Sequence, residues 1–185
     1  MPAFIPCLFL LMSHYEILRN DADLVCKINT KEFEAVHIVN NSPKTFIEFN
    51  GPYFGGSPIE PIGPFAEFKG YPTRGTRPVV FVNDVSFVAG PDLFNLKKSI
   101  EEGQFGQDIT NRRTDRMVVG YTKPGKLILA YLSARTLTEA SQEMKKLGCI
   151  RAINCDGGHS ASLRVGKIRK GSWLIRFGVG LRPRT

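Results

Sequence analysis

Apolar and polar positions alternate in short runs along most of this chain, and turn-forming residues close each run. Residues 15–19, 24–28 and 33–39 read as short strands, the last of them (FEAVHIV) with a period of two. Asn40-Asn41-Ser42-Pro43 predicts a turn, and TFIEFN after it predicts a further strand. Glycine and proline in GPYFGGSP then end regular structure. Residues 55–77 are expected to form a long loop, of a length that in compact domains often carries function. PVVFVND and VSFVAG read as a strand pair, residues 92–102 as a short helix, and 103–115 as a polar connection. RMVVGYT and KLILAYL flank Lys123-Pro124-Gly125-Lys126. Proline followed by glycine suits the centre of a type II turn, so these two runs predict a hairpin.

The clearest helix is predicted over 137–147. Thr136 and Glu139 have capping-box spacing, and Leu137, Ala140, Met144 and Leu147 share one face. Lys145 and Lys146 suit the last turn, and Gly148 ends it. CIRAINC predicts a buried strand that delivers Asp156 at its end. LRVGKIRK reads as a hairpin around Gly166-Lys167, and WLIRFGVGL holds a last strand. The expected class is α+β: a single domain over residues 1–185, with a mostly antiparallel or mixed sheet and one principal helix packed on it.

Charge and cysteine usage narrow the partners. The formal net charge is +8, and from Arg164 onward the chain carries Arg164, Lys167, Arg169, Lys170, Arg176, Arg182 and Arg184 with no acidic residue. Such a stretch suits a phosphorylated small molecule, nucleic acid or an anionic membrane, or is simply a solvated basic face. No aromatic-rich basic ribbon accompanies it, so nucleic acid is not the expected partner. Cys7, Cys26, Cys149 and Cys155 show no CxxC and no zinc-like spacing, which favours a reducing compartment and a cytoplasmic protein. The opening run MPAFIPCLFLLM lacks a basic start and a small-residue cleavage site, and it is too short to span a bilayer as a helix. It is read as a buried first strand, a poor export signal, or an extension upstream of a start at Met12. No membrane partner is expected.

Asn154-Cys155-Asp156-Gly157-Gly158-His159-Ser160-Ala161-Ser162 carries the densest chemistry in the chain. A carboxylate leaves an apolar strand and enters two glycines, a histidine and two hydroxyls. Glycines let backbone approach a ligand closely and turn N–H groups toward an anion. Asp156 suits a general base or a stabiliser of positive charge at a sugar carbon. An Asx-turn in which Asp156 merely caps the loop fits the same residues. No His, Cys or carboxylate cluster has ligand spacing, so no metal or cofactor is expected, although Asp156 with loop carbonyls suits a hard cation.

This segment resembles the NxDGGGSA(S/T) motif of the phosphodiester glycosidases. RMVVGYTKPGKLILAYL resembles that family's RTAIGxTxDGKLLLxxxDG hairpin, and TLTEASQEMKKLGCIRAIN the helix and strand that follow it. Upstream, Asn50-Gly51-Pro52-Tyr53-Phe54 resembles NGGFF, and Pro72-Thr73-Arg74-Gly75 resembles the TPxG loop. The resemblance covers roughly residues 33–181, in consistent order. It implies a hydrolase of a sugar-1-phosphodiester, with Asp156, Arg116 and His159 as catalytic candidates. Asn50, Gly51, Tyr53, Arg74, Gly157, Gly158 and Ser160 are the implied substrate contacts.

The residue types suit that chemistry. Phosphate is already a good leaving group, so the site must hold the anion, stabilise an oxocarbenium-like state and activate water. Arg116 offers a fork for phosphate; Asn50 offers an amide for sugar hydroxyls; Tyr53 offers a ring for a sugar face. Three positions depart from the family pattern. His159 stands in place of a third glycine, Pro52 replaces a glycine, and the aspartate at the hairpin's end is missing at Ser133-Ala134. The expected substrate is a small-molecule or glycan phosphodiester, including nucleotide-linked sugars and ribosyl-phosphate signal molecules. The alternatives are a non-catalytic module that sequesters an anionic sugar phosphate and, behind it, a basic nucleic-acid binder.

Overall fold

A computed structural model describes residues 14–185; the opening apolar run, Cys7 and Met12 lie outside the described residues. The chain passes through β1 (Tyr15–Asn20), β2 (Leu24–Asn29), β3 (Phe33–Val39) and β4 (Ile47–Asn50). The two-residue pair β5 (Phe54–Gly55) and β6 (Glu60–Pro61) and the hairpin β7 (Val79–Val82) and β8 (Val85–Val88) follow. Helices α1 (Leu96–Gly103) and α2 (Gln107–Thr110) lead into β9 (Thr114–Tyr121) and β10 (Lys126–Arg135). After α3 (Leu137–Lys146) come β11 (Arg151–Asn154), β12 (Ser162–Val165), β13 (Ile168–Gly171) and β14 (Phe177–Pro183).

The strands form two five-stranded antiparallel sheets, ordered β1-β2-β10-β9-β11 and β13-β12-β4-β14-β3. The period of two in each strand decides what lies between them. Leu127, Leu129 and Tyr131 of β10 share one cluster with Met117 and Val119 of β9 and Leu24 and Cys26 of β2. Ile47 and Phe49 of β4, Leu163 of β12 and Val179 and Leu181 of β14 complete it from the second sheet. The alternate residues of the first sheet, Val25, Val118, Ile128, Ala130 and Leu132, face outward onto Leu137, Ala140 and Met144 of α3. The layers therefore run sheet, sheet, helix, and β10 is buried on both faces.

This overturns the α+β expectation. The structure is mainly β, with 45% strand and 16% helix. The hairpins were legible, but they do not join one sheet beneath a helix. Strands β3, β4, β12, β13 and β14 make a second sheet, and sheet-on-sheet packing rather than helix-on-sheet packing builds the main core. Helix α3 does pack as its pattern predicts, and both hydrogen bonds of the Thr136–Glu139 capping box are present. The expected loop at 55–77 carries the β5–β6 pair and isolated bridges at Ile62–Tyr71 and Phe65–Phe68. The connection at 103–115 holds α2 and the start of β9.

Candidate active site

The Asp156 loop crosses one end of the sandwich, from β11 of the first sheet to β12 of the second. Its entry is fixed by backbone bonds: Cys155 N–H donates to the Met117 carbonyl at 2.8 Å, and Asp156 N–H to the Gly51 carbonyl at 3.0 Å. Asn50, buried at the end of β4, holds both ends of the loop. Its Nδ2 donates to the Asp156 carbonyl at 2.5 Å, and its Oδ1 accepts from Ser162 N–H at 2.7 Å. The Asn50 amide is thus committed to the loop, and Asn50 is a positioning residue rather than a lining one.

The two glycines have separate reasons. A Cβ on Gly157 would stand 2.9 Å from the Asp115 carbonyl oxygen, and Gly158 has φ +61, in the left-handed region. The loop can therefore lie flat on the start of β9. A short 3-10 turn, Gly158–Ser160, then presents His159 outward.

Beside this loop lies a cleft of about 890 Å³. Asp108, Ile109, Arg112 to Arg116 and Ala134 form one side, Asp156 to Ala161 the floor, and Tyr53, Phe54, Gly171 and Ser172 complete the lining. Of the residues singled out in the sequence, Asp156, Arg116, His159, Tyr53, Gly157, Gly158 and Ser160 meet here. Gly51 is buried behind the loop, where its carbonyl receives Asp156 N–H, and it does not line the cleft. Arg74 is exposed and also lies outside the lining.

Burial pushes the Asp156 carboxyl up to about 7, against hydrogen bonds from Ser160 and Gly157 N–H that favour the charged form. An acid of that strength exchanges its proton near neutrality. The Tyr53 hydroxyl is driven the other way from use as an acid: burial, with the Asp156 charge nearby, raises it well above the ordinary range. It donates to the Gly90 carbonyl at 2.8 Å and accepts from Asn154 Nδ2 at 2.9 Å.

Arg116 is buried, and its fork meets backbone rather than a carboxylate. Nε donates to the Arg135 carbonyl at 3.1 Å, one Nη to Ile109 at 3.1 Å and the other to Arg112 at 2.5 Å. It makes no ion pair among the described residues, so its charge is uncompensated in the cleft wall. By holding the Arg112 carbonyl it also sets the backbone that displays the exposed Arg112 side chain. Arg112 lines the cleft with no ion-pair partner among the described residues, whereas its neighbour Arg113 pairs with Glu139. The run Arg112-Arg113-Thr114-Asp115-Arg116 is the sequence signal for this wall, a basic cluster at the end of the polar connection, of which sequence reasoning singles out Arg116 and misses Arg112.

The missing hairpin aspartate has a stand-in. Asp115 accepts from Tyr131 Oη at 2.7 Å, Ser133 Oγ at 3.3 Å and Ala134 N–H at 2.9 Å. A carboxylate therefore still ties down this turn, supplied by the neighbouring strand. Ala134 adopts φ +50, a conformation that a glycine would take at less cost.

The family model described as phosphodiester glycosidase matches residues 71–180. The chain belongs to the phosphodiester glycosidase family. Arg74, Arg116 and the loop from Asp156 to Ser160 fall inside the matched span, while Asn50, Gly51 and Tyr53 precede it. Among solved structures, the catalytic domain of zebrafish N-acetylglucosamine-1-phosphodiester alpha-N-acetylglucosaminidase, auto-inhibited by its pro-peptide, shares this fold. It is 15% identical with a TM-score of 0.65, covering 92% of this chain and 82% of that one. A hypothetical protein from Synechocystis is 22% identical with a TM-score of 0.47; the match covers 54% of this chain and 21% of that one. No curated protein matches the chain. Phosphodiester glycosidases are hydrolases of phosphodiester-linked sugars.

Among the described residues no group of three or more His, Cys, Asp or Glu is placed to hold a metal ion, and no helix is long and apolar enough to cross a membrane. Cys26, Cys149 and Cys155 are buried free thiols; burial pushes Cys26 up to about 12 and Cys149 up to about 11, which leaves them protonated and inert.

Proposed function

We propose that this chain hydrolyses a sugar-1-phosphodiester at the anomeric carbon, with Asp156 as the base that takes a proton from water. The observation that carries the reading is a carboxyl raised to about 7 on the floor of a cleft whose wall holds an unpaired buried arginine. Water adds to the anomeric carbon, the bond from that carbon to the phosphate oxygen breaks, and the phosphate leaves as a monoester. One water proton passes to Asp156 and on to solvent. The charge of Arg116, without an ion-pair partner among the described residues, and the exposed donors of Arg112 favour the diester anion and the extra negative charge it gains on leaving. The free sugar and the phosphate monoester, identified by mass spectrometry after incubation with a panel of sugar phosphodiesters and nucleotide-linked sugars, test the reading. Binding without either product would instead favour a sequestering module.

Arg112 supplies the more accessible phosphate contact, because its guanidinium is not committed to backbone. Arg112→Ala is expected to lower kcat/KM roughly tenfold, mostly through KM, with little change in melting temperature, as follows from losing one charge-assisted hydrogen bond. An unchanged KM would remove Arg112 from the phosphate site.

A further inference from the structure

Trp173 is 79% exposed, the most exposed large apolar side chain among the described residues. It is also the chain's single tryptophan. Its position is not that of a loose surface residue. Ser172, immediately before it, lines the cleft, and the turn that carries both is pinned from several directions. Ser172 N–H donates to the Ala161 carbonyl at 2.8 Å, at the end of the Asp156 loop. The Ser172 carbonyl accepts from Ser162 Oγ at 2.8 Å and from an Arg169 Nη at 2.8 Å.

The indole itself rests on Arg169, whose guanidinium carbon lies 5.1 Å from the ring centroid. Arg169 is in turn fixed by Glu48, a buried carboxylate that Arg164 also pairs. Burial is the largest single influence and works against the Glu48 charge, but the Arg164 hydrogen bond, the Thr45 N–H and the charges of Arg164 and Lys44 together outweigh it and hold Glu48 below the usual carboxylate range, so the pair of arginines stays anchored. One face of the indole is backed by a held cation, and the other is left to solvent one residue beyond the rim of the cleft.

We propose that Trp173 is a stacking platform for a flat group carried by the phosphodiester, either a heteroaromatic base or the C–H face of a second sugar. This deepens the glycosidase reading and rests on it for the identity of the ligand as a phosphate ester. Aromatic stacking on a fixed ring is sequence-tolerant and geometry-selective, so it would sort substrates by the shape of the group beyond the phosphate. The cation behind the indole holds the ring in place, which lowers the entropy lost when a ligand stacks.

Because the chain has one tryptophan, fluorescence excited at the red edge of the indole band, where tyrosine does not absorb, reports on this residue alone. Asp156→Asn protein, titrated with a nucleoside monophosphate, a hexose phosphate and glycerol phosphate, should show quenching or a spectral shift with at least one of the first two and none with glycerol phosphate. By calorimetry, Trp173→Ala should reduce the preference for that flat ligand over glycerol phosphate about tenfold, and Trp173→Phe should restore most of it. A nucleoside response identifies a base as the partner, and a hexose response identifies a sugar face. Equal affinity for all three ligands, or an unchanged preference in Trp173→Ala, would overturn the proposal. Fluorescence needs no turnover, so the two readings fail separately: ligand-specific quenching without hydrolysis by the wild type sinks the glycosidase reading alone. Hydrolysis with no flat-group preference sinks the platform alone.

Discussion

Replacing Asp156 with asparagine is expected to lower turnover at least ~100-fold and, at pH 8, to raise the melting temperature by several degrees. Both effects come from the same half-buried carboxyl on the cleft floor. Its folded-state value is raised to about 7, whereas an unfolded aspartate titrates near about 4. Below about pH 4 the group is protonated in both states and costs nothing. Between about 4 and 7 the unfolded chain ionises while the folded one resists, so stability is lost as pH rises, and above about 7 the full penalty remains. That penalty is on the order of 4 kcal/mol at most. Asparagine keeps an acceptor for Gly157 N–H and an amide for Ser160, and it removes the penalty. The wild type should therefore lose stability between pH 4 and 7, in excess of the variant, and its kcat/KM should rise through a limb near 7 that the variant lacks. Thermal scans and rate profiles over that range check both. A variant that stays active with an unchanged limb would reduce Asp156 to a cap on its loop.

The opposite pairing of effects is expected at Arg116. Arg116→Lys should cost roughly 3 kcal/mol or more, lowering the melting temperature by about 6–12 °C, and activity should fall with stability rather than apart from it. The guanidinium serves three carbonyls, on Ile109, Arg112 and Arg135, in directions that a single ammonium does not reach together. Losing them frees the segment that carries Arg112 and opens the cleft wall. Chemical denaturation of the lysine variant measures the loss. Full stability with weakened phosphate affinity would show that the fork serves substrate directly, as the resemblance implies.

These two residues also show what the sequence carries and what it does not. Hairpins and caps are local, so they were legible: Lys123-Pro124-Gly125-Lys126 turns β9 into β10, with Gly125 at φ +75, and Thr136 with Glu139 caps α3. Strand partners far apart in the chain were not. A period of two says that Leu129 and Ala130 face opposite ways, but it does not say that one meets a second sheet and the other a helix. That omission turned a mainly β sandwich into an expected α+β fold. At the site, two glycines and a carboxylate after an apolar strand mark the Asp156 loop, but an Asx-turn fits the same residues, and it is the resemblance that points to catalysis. Asn50 and Arg116 were legible as residues of consequence, yet not in their contacts. Their polar groups are taken by backbone from the Asp156 loop, β12, α2, the segment after α2 and the end of β10, and pairing of that kind leaves no spacing in the sequence.

The most direct measurement is the fate of solvent oxygen. A sugar phosphodiester that the chain turns over is hydrolysed in water enriched in oxygen-18, and the two products are weighed separately. Attack at the anomeric carbon predicts label in the free sugar and none in the phosphate monoester. Label in the phosphate would place the attack on phosphorus and contradict the glycosidase reading of the Asp156 cleft.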